Sequence, residues 1–341
     1  MNAFTEEDIM KRAVVSGGLN PFELLSVEIA EGLSSYWETA GQILGDSGIK
    51  LLNPPDGFFS LERNFFSALF IYSYYRAGIP RSRRVLYALV NQCLRGMVTG
   101  CDNILDDEYK KTLDTDLPEN GVRFRSVIDI MVSDRVLFHA LSKAHENGVL
   151  SADDVLRASA ATLKALGRSG AEEASEEGGV TGILEPEDIL KRIHHYKTGM
   201  LFQCPWAVPK VLERSDNVLA REVLGALYSV GMGCQIFDDM ADMASNIDES
   251  RHNYVVSLIR HGADAAERGK LDAFMSKGLN LTNEEKKKLV LEFPSARALA
   301  VSKALAYLEN GLANLFGDDH RFMVEPATAF LIRRIGVERF I

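Results

Sequence analysis

The 341-residue chain carries 48 Asp and Glu against 38 Lys and Arg, a formal net charge of -10, which repels nucleic acid and anionic lipid wherever no local basic patch intervenes. With 46% hydrophobic and 25% charged residues it reads as a soluble globular protein, long enough to bury a large core. Cys93, Cys101, Cys204 and Cys234 lack a CxxC spacing, so neither a disulfide framework nor a zinc site is expected, and a reducing cytoplasm is.

The chain opens on MNAFTEEDIM, acidic and without the apolar stretch of a signal peptide. Apolar residues then recur every three or four positions through Glu23–Leu44, Ser60–Ala77, Arg81–Leu105, Arg123–His145 and Asp216–Met243, the period of helices with one buried face. Between the last two, RSGAEEASEEGGVTGILEP (Arg168–Pro186) is rich in Gly, Ser and Glu and predicts a mobile loop joining two helical halves. The longest uncharged run, Val223 to Phe237, is shorter than the ~20 residues that cross a bilayer. No period-two alternation between hairpin turns and no succession of strand and helix is evident. The expectation is an all-α protein, residues 1–341 forming one domain.

Two stretches carry the chemistry. In GCQIFDDMADM, residues 233–243, Asp238 and Asp242 lie one helical turn apart on one face, Asp239 flanks them, and Gln235 precedes Asp238 by three residues. Carboxylates so placed repel one another unless a cation lies between them. Oxygen ligands without His or Cys suit Mg2+ or Mn2+, and Mg2+ typically takes only one or two carboxylates and completes its shell with water and phosphate oxygens. The patch therefore predicts a phosphorylated ligand; taken alone it reads equally well as a solvated acidic face. The second stretch, GCDNILDDEYKK (residues 100–111), again follows an apolar helical run and again sets acids four apart, Asp102 and Asp106, with Asp107 and Glu108 adjoining. Two such helices facing each other could hold two or three divalent ions around a diphosphate, and Lys197 of HHYKTGMLF could reach the same group.

These residues carry a resemblance. Gly231, Gln235, Asp238, Asp239 and Asp242 match the second aspartate-rich motif, GxxxQxxDDxxD, of the trans-isoprenyl diphosphate synthases. Lys197, Thr198 and Gly199 resemble their KT(A/G) motif. DNILD (102–106) is similar to the first DDxxD motif with Asn103 in place of the second Asp, and Ser133–Asp134 resembles the (G/S)D pair that follows it. The likeness spans Ser60 to Leu258. It implies the class I isoprenoid synthase fold, a large helical bundle around a deep pocket, working as a homodimer.

The resemblance further implies a catalytic set of Asp102, Asp106, Lys197, Gln235, Asp238 and Asp239, with Asp102, Asp106, Asp238 and Asp242 as magnesium ligands. Ionisation of an allylic diphosphate would leave a carbocation, which the double bond of isopentenyl diphosphate attacks. Departures fall on the acceptor side. Where the family has GKRxRP and Arg-Arg-Gly segments, this chain has LERNF, with Arg63 alone, and Lys110–Lys111. Arg95 replaces a family histidine, and SRHNYVVS (250–257) replaces a lysine-bearing loop, leaving Arg251 for that role. Thr198 belongs to the same substrate-binding set. Met97 and Val98, one turn before Asp102, stand where bulky aromatics in the family accompany short products; neither is aromatic, which leaves room for a geranylgeranyl or longer chain.

Three rivals remain. A terpene cyclase would use (N/D)DxxSxxxE, for which Asp242, Ser245 and Glu249 are in register but Ala241 occupies the first ligand position. A di-iron bundle would need two Glu-x-x-His motifs, of which Glu249–His252 is one. An inactive helical scaffold could keep a degenerate acidic motif.

Overall fold

The computed structural model describes residues 21–106, 109–213, 218–277 and 281–341. Among them there is no strand, only an isolated bridge between Leu51 and Thr115. The chain is all-α, as its periodicity predicts. Helices α1 (Pro21–Leu44), α2 (Phe65–Arg76), α3 (Arg81–Leu105) and α4 (Val122–Glu146) lie close to the expected segments. No described helix is long and apolar enough to cross a membrane.

The expected loop over Arg168–Pro186 is largely helix. Helix α5 runs Ala152–Glu176, and only the remainder, 177–185, turns, through Gly179 and Gly182 at positive φ. Composition misled because tertiary partners stabilise this stretch: Ser169 Oγ donates to the Lys197 carbonyl at 2.8 Å, and Glu173 pairs with Lys197 Nζ at 3.1 Å. Beyond the loop come a π-helix (Ile189–Gly199), a 3-10 turn (Leu201–Trp206) and α6 (Ala207–Leu212). The predicted helix 216–243 is α7 (Val218–Ala241), Asp216 and Asn217 lying outside the described residues. Then follow α8 (Met243–Asp248), α9 (Tyr254–His261), α10 (Ala265–Lys277), α11 (Pro294–Phe316) and α12 (Val324–Ile335).

Contacts group these elements into two compact units: described residues 21–166 with 204–221, and 167–203 with 222–341. In the first, α3 packs on α4 and α1. Small residues permit the approach: a Cβ added at Gly100 would stand 2.6 Å from Ile130 Cγ1, and one at Gly32 2.6 Å from Ala88 Cβ. Tyr36 and Ser133 share a buried hydrogen bond of 2.9 Å across this seam. Most of the aromatic run 64–75 is core, Tyr75 being exposed: Tyr74 is wholly buried, its hydroxyl donates to the Pro205 carbonyl at 2.6 Å, and its ring meets Tyr87 and Trp206 edge-on. A buried ion pair ties α1 to α3, Arg84 Nε and Nη2 reaching the two oxygens of Glu28 at 2.8 and 2.5 Å.

Asp129 on α4 is 1% exposed, and burial pushes its carboxyl up to about 7 against the pull of the Thr112 and Leu113 amides and of Arg125. That value lies above the 3.8 of an unperturbed aspartate, so the stability contributed by the protonated acid is complete below that pH and lost as pH rises through about 7. Asp129→Asn cannot ionise. Its stability relative to wild type should therefore grow between pH ~4 and ~7, by on the order of 4 kcal/mol, in denaturant titrations at the two extremes. A difference independent of pH would contradict the assignment.

In the second unit α11 packs on α9 and α12. Gly233 on α7 lies close to α11, where a Cβ would meet the Ala304 carbonyl at 2.9 Å and Leu308 Cγ at 2.7 Å.

Candidate active site

The first acidic motif closes α3. The Asp106 amide donates to the Asp102 carbonyl at 2.8 Å, which makes Asp106 the helix C-cap; it is exposed and Asp102 half-buried. Asp107 and Glu108 lie outside the described residues. Asn103 points inward and is 1% exposed. Its Nδ2 donates to the Lys110 carbonyl at 3.1 Å while its Oδ1 accepts from the Lys110 amide at 2.8 Å. Only a carboxamide satisfies both, since an ionised carboxylate has no donor. The departure from DDxxD thus fastens the segment that follows the motif. Lys110 and Lys111 are exposed, and Lys111 Nζ pairs with Asp114 at 2.9 Å.

Arg63 and Arg95 converge on one turn of the same unit. The Arg63 guanidinium lies 5.5 Å from the Phe58 ring centre, and Arg95 Nη1 donates to Asn64 Oδ1 at 3.1 Å. Buried Asn64 donates in turn to the Phe58 and Ser60 carbonyls at 2.7 and 2.9 Å. Met97 and Val98 are half-buried. Of the (G/S)D pair, Ser133 is buried on Tyr36 and Asp134 is exposed.

The second motif belongs to the other unit, and there the three acids part company. Asp238 and Asp242 are exposed, one turn apart, with the Asp242 amide on the Asp238 carbonyl at 2.8 Å. Asp239 turns inward and is 3% exposed. Its Oδ1 accepts from Gln235 Nε2 at 3.1 Å; its Oδ2 accepts from the Tyr254 amide at 2.6 Å and lies 2.9 Å from His194 Nε2. Its carbonyl accepts from Asn253 Nδ2 at 2.7 Å. Gln235 also reaches Asp238 Oδ2, at 3.3 Å, and takes the Thr198 hydroxyl on its own Oε1.

His194, Lys197 and Thr198 share the π-helix, whose wider turn is registered in the Met200 amide reaching the His195 carbonyl five residues back at 2.8 Å. Such turns are uncommon and concentrate at functional sites. Gly231 lets α7 approach it: a Cβ there would stand 2.8 Å from the Phe202 ring and 2.9 Å from the Thr198 carbonyl. The first glycine of the motif is thus a matter of close packing. Burial depresses the Lys197 pKa, but Glu173, Glu176 and Asp239 more than offset this, so it ends above its ordinary value and the ammonium stays charged. Glu176, 3% exposed, is raised by burial and accepts from the His252 amide at 3.2 Å.

Arg251 follows α8 and pairs with Glu249 at 2.8 Å. It lines a cavity of about 370 Å³ together with His252, Arg260 and His261. Ser245, the middle residue of a cyclase-type motif, donates its hydroxyl to the Asp242 carbonyl at 3.0 Å.

Glu173, Glu176, His194, Asn253 and Tyr254 were not anticipated. The first two fell in the presumed loop, although their spacing of three would have signalled one helix face. His194 stands three before Lys197, a spacing that would likewise have signalled one helix face.

Among the described residues no three His, Cys, Asp or Glu side chains gather closely enough to hold a metal ion by themselves. The oxygen-only pair of Asp238 and Asp242 nevertheless suits Mg2+, which keeps several waters and binds through one or two carboxylates plus substrate phosphates.

No protein-family profile and no curated protein matches the sequence. Solved structures do. A polyprenyl synthase from Caulobacter crescentus CB15, complexed with calcium and isoprenyl diphosphate, is 13% identical with a TM-score of 0.62, covering 92% of this chain and 97% of that one. A geranylgeranyl pyrophosphate synthetase from Pyrococcus horikoshii Ot3 is 17% identical with a TM-score of 0.59, over 92% of this chain and 100% of that one. A decaprenyl diphosphate synthase from Rhodobacter capsulatus is 15% identical with a TM-score of 0.59, over 92% and 99%. The fold is that of the trans-prenyl diphosphate synthases. These structures share it along nearly their whole lengths, as the resemblance in the acidic motifs implies.

Proposed function

We propose that the chain, 1–341 acting as one isoprenoid synthase domain in the cytoplasm, is a Mg2+-dependent trans-prenyltransferase. It ionises an allylic diphosphate and condenses it with isopentenyl diphosphate to a longer polyprenyl diphosphate. The observation that carries this reading is the division of labour in the second motif. Asp238 and Asp242 present two oxygen ligands on an exposed helix face, while Gln235 and Asp239 are held inside beside a charged Lys197.

Asp238 and Asp242 would hold Mg2+, or Mn2+ in its place, and in the first motif Asp102 and Asp106 would offer ligands of the same kind, for two or three ions in all. Bound metal would neutralise the diphosphate as its bond to the allylic carbon breaks. Lys197 would donate to a diphosphate oxygen, exchanging Glu173 for a more highly charged acceptor, with Thr198 keeping Gln235 in register. Arg95, which donates to Asn64, and Arg63, over the Phe58 ring, are basic groups that would serve an acceptor diphosphate, together with Lys110 and Lys111. Arg251 would serve the allylic diphosphate after leaving Glu249. With Met97 and Val98 in place of aromatics, the product would be of geranylgeranyl length or longer.

The missing basic segments favour a second reading, ionisation of one substrate without an acceptor, as in a cyclase. Against it, Ala241 occupies the first ligand position of the cyclase-type motif and Glu249 is paired with Arg251. Purified protein with Mg2+ and farnesyl diphosphate, with and without isopentenyl diphosphate, separates the cases: longer diphosphates for a synthase, hydrocarbon or alcohol for a cyclase. No Mg2+-dependent product would refute both and leave a scaffold.

A homodimer belongs to the same proposal. Phe124, Val127, Met131 and Phe138 follow one another along one face of α4 and are exposed, as are Leu156 and Leu163 on α5. An apolar stripe of this kind marks an interaction surface. Met131→Glu with Phe138→Asp should turn a dimer into a monomer in sedimentation; an unchanged dimer would place the interface elsewhere.

A further inference from the structure

We propose that His194 is a positioning residue for the second acidic motif: by donating through Nε2 it fixes Asp239, and through Gln235 it sets the orientation of Asp238. The inference deepens the reading above and rests on it where Asp238 is taken as a metal ligand.

The geometry leaves His194 little else to do. The ring is 1% exposed, its Nε2 lies 2.9 Å from Asp239 Oδ2, and its Nδ1 has no hydrogen-bond partner among the described residues. A buried N–H without an acceptor is costly, so the proton belongs on Nε2, where the carboxylate takes it. The ring lies 6.1 Å from that of Tyr254, whose backbone amide donates to the same Asp239 oxygen at 2.6 Å. Two donors on different elements, the π-helix and α9, thus pin one oxygen. The other oxygen is left to Gln235.

Gln235 cannot turn its amide over, because that would set Oε1, an acceptor, against the acceptor oxygens of Asp239 and Asp238, whereas the Thr198 hydroxyl can donate to Oε1 as it stands. Its Nε2 must therefore face the acids, 3.1 Å from Asp239 and 3.3 Å from Asp238. The relay runs from a buried imidazole through two buried side chains to an exposed carboxylate. Outer partners of this kind orient ligands, and their loss typically costs about 10–100-fold in metal affinity.

The test uses the full-length protein, Mg2+ and inorganic pyrophosphate, with binding followed by calorimetry. His194→Phe keeps the ring volume and removes the donor; His194→Gln restores an N–H at a similar reach. The phenylalanine variant should weaken Mg2+-dependent pyrophosphate binding by roughly tenfold or more, with the glutamine variant recovering most of it. Nitrogen NMR of the histidine-labelled wild type should show Nε2 protonated and Nδ1 bare. Wild-type binding by His194→Phe, equal losses in both variants, or a proton on Nδ1 would overturn the proposal. Wild-type protein that binds no pyrophosphate with Mg2+ would instead refute the reading of the site, leaving the His194–Asp239 contact to be judged by the NMR result.

Discussion

Asp238→Ala is expected to reduce turnover of an allylic diphosphate by on the order of a thousandfold while leaving the thermal midpoint nearly unchanged. The side chain is exposed, so its removal opens no cavity in the core; what would be lost is the proposed oxygen ligand. Asp102→Ala, at a half-buried position, should lose rate in the same way with a small loss of stability. The adjacent Asp239→Ala should give the opposite balance, a large loss of stability preceding any loss of rate. It would strand the Tyr254 amide and the His194 imidazole in the interior, each unpaired donor costing about 1–3 kcal/mol, and leave Gln235 Nε2 with Asp238 alone. Rate and denaturation midpoint measured on all three variants decide the matter. If Asp238→Ala lowers stability as much as Asp239→Ala, the division between exposed ligand and buried support is wrong.

Glu28→Ala should destabilise the first unit by about 3–5 kcal/mol. Glu28 is fully buried and receives both Arg84 Nε and Nη2, so truncation leaves a buried guanidinium whose remaining partners among the described residues are the Ile79 carbonyl and the Tyr75 face. The penalty comes from the orphaned charge, so replacing both partners tests it. A double variant, Glu28→Leu with Arg84→Met, should recover most of the loss in a denaturant titration. Recovery absent in the double variant would show that packing volume, and not charge, sets the cost.

Much of this molecule was legible beforehand because helical period is written locally. Apolar spacing places α3 at Arg81–Leu105, the observed bounds, and α1, α4 and α7 within a few residues of theirs. The same periodicity sets Asp238 and Asp242 on one face. Local reading failed at Arg168–Pro186, where the Gly and Ser content was weighed above the helix-forming Ala and Glu. Ser169 and Glu173 find partners in the Lys197 segment, residues distant in sequence that no local window contains.

The sequence by itself determined the helical class, the paired acidic motifs and the oxygen-only character of the candidate metal ligands, since spacing and side-chain chemistry are properties of the chain alone. Which acid turns inward was decided only in three dimensions. Asp239 differs from Asp238 by one residue, about 100° around the helix. That rotation matters because Tyr254, His194 and Gln235 bring three donors to one side of α7 and none of the three is adjacent to Asp239 in sequence. A buried carboxyl group is tolerable only where such donors converge, and their convergence is a property of the folded chain.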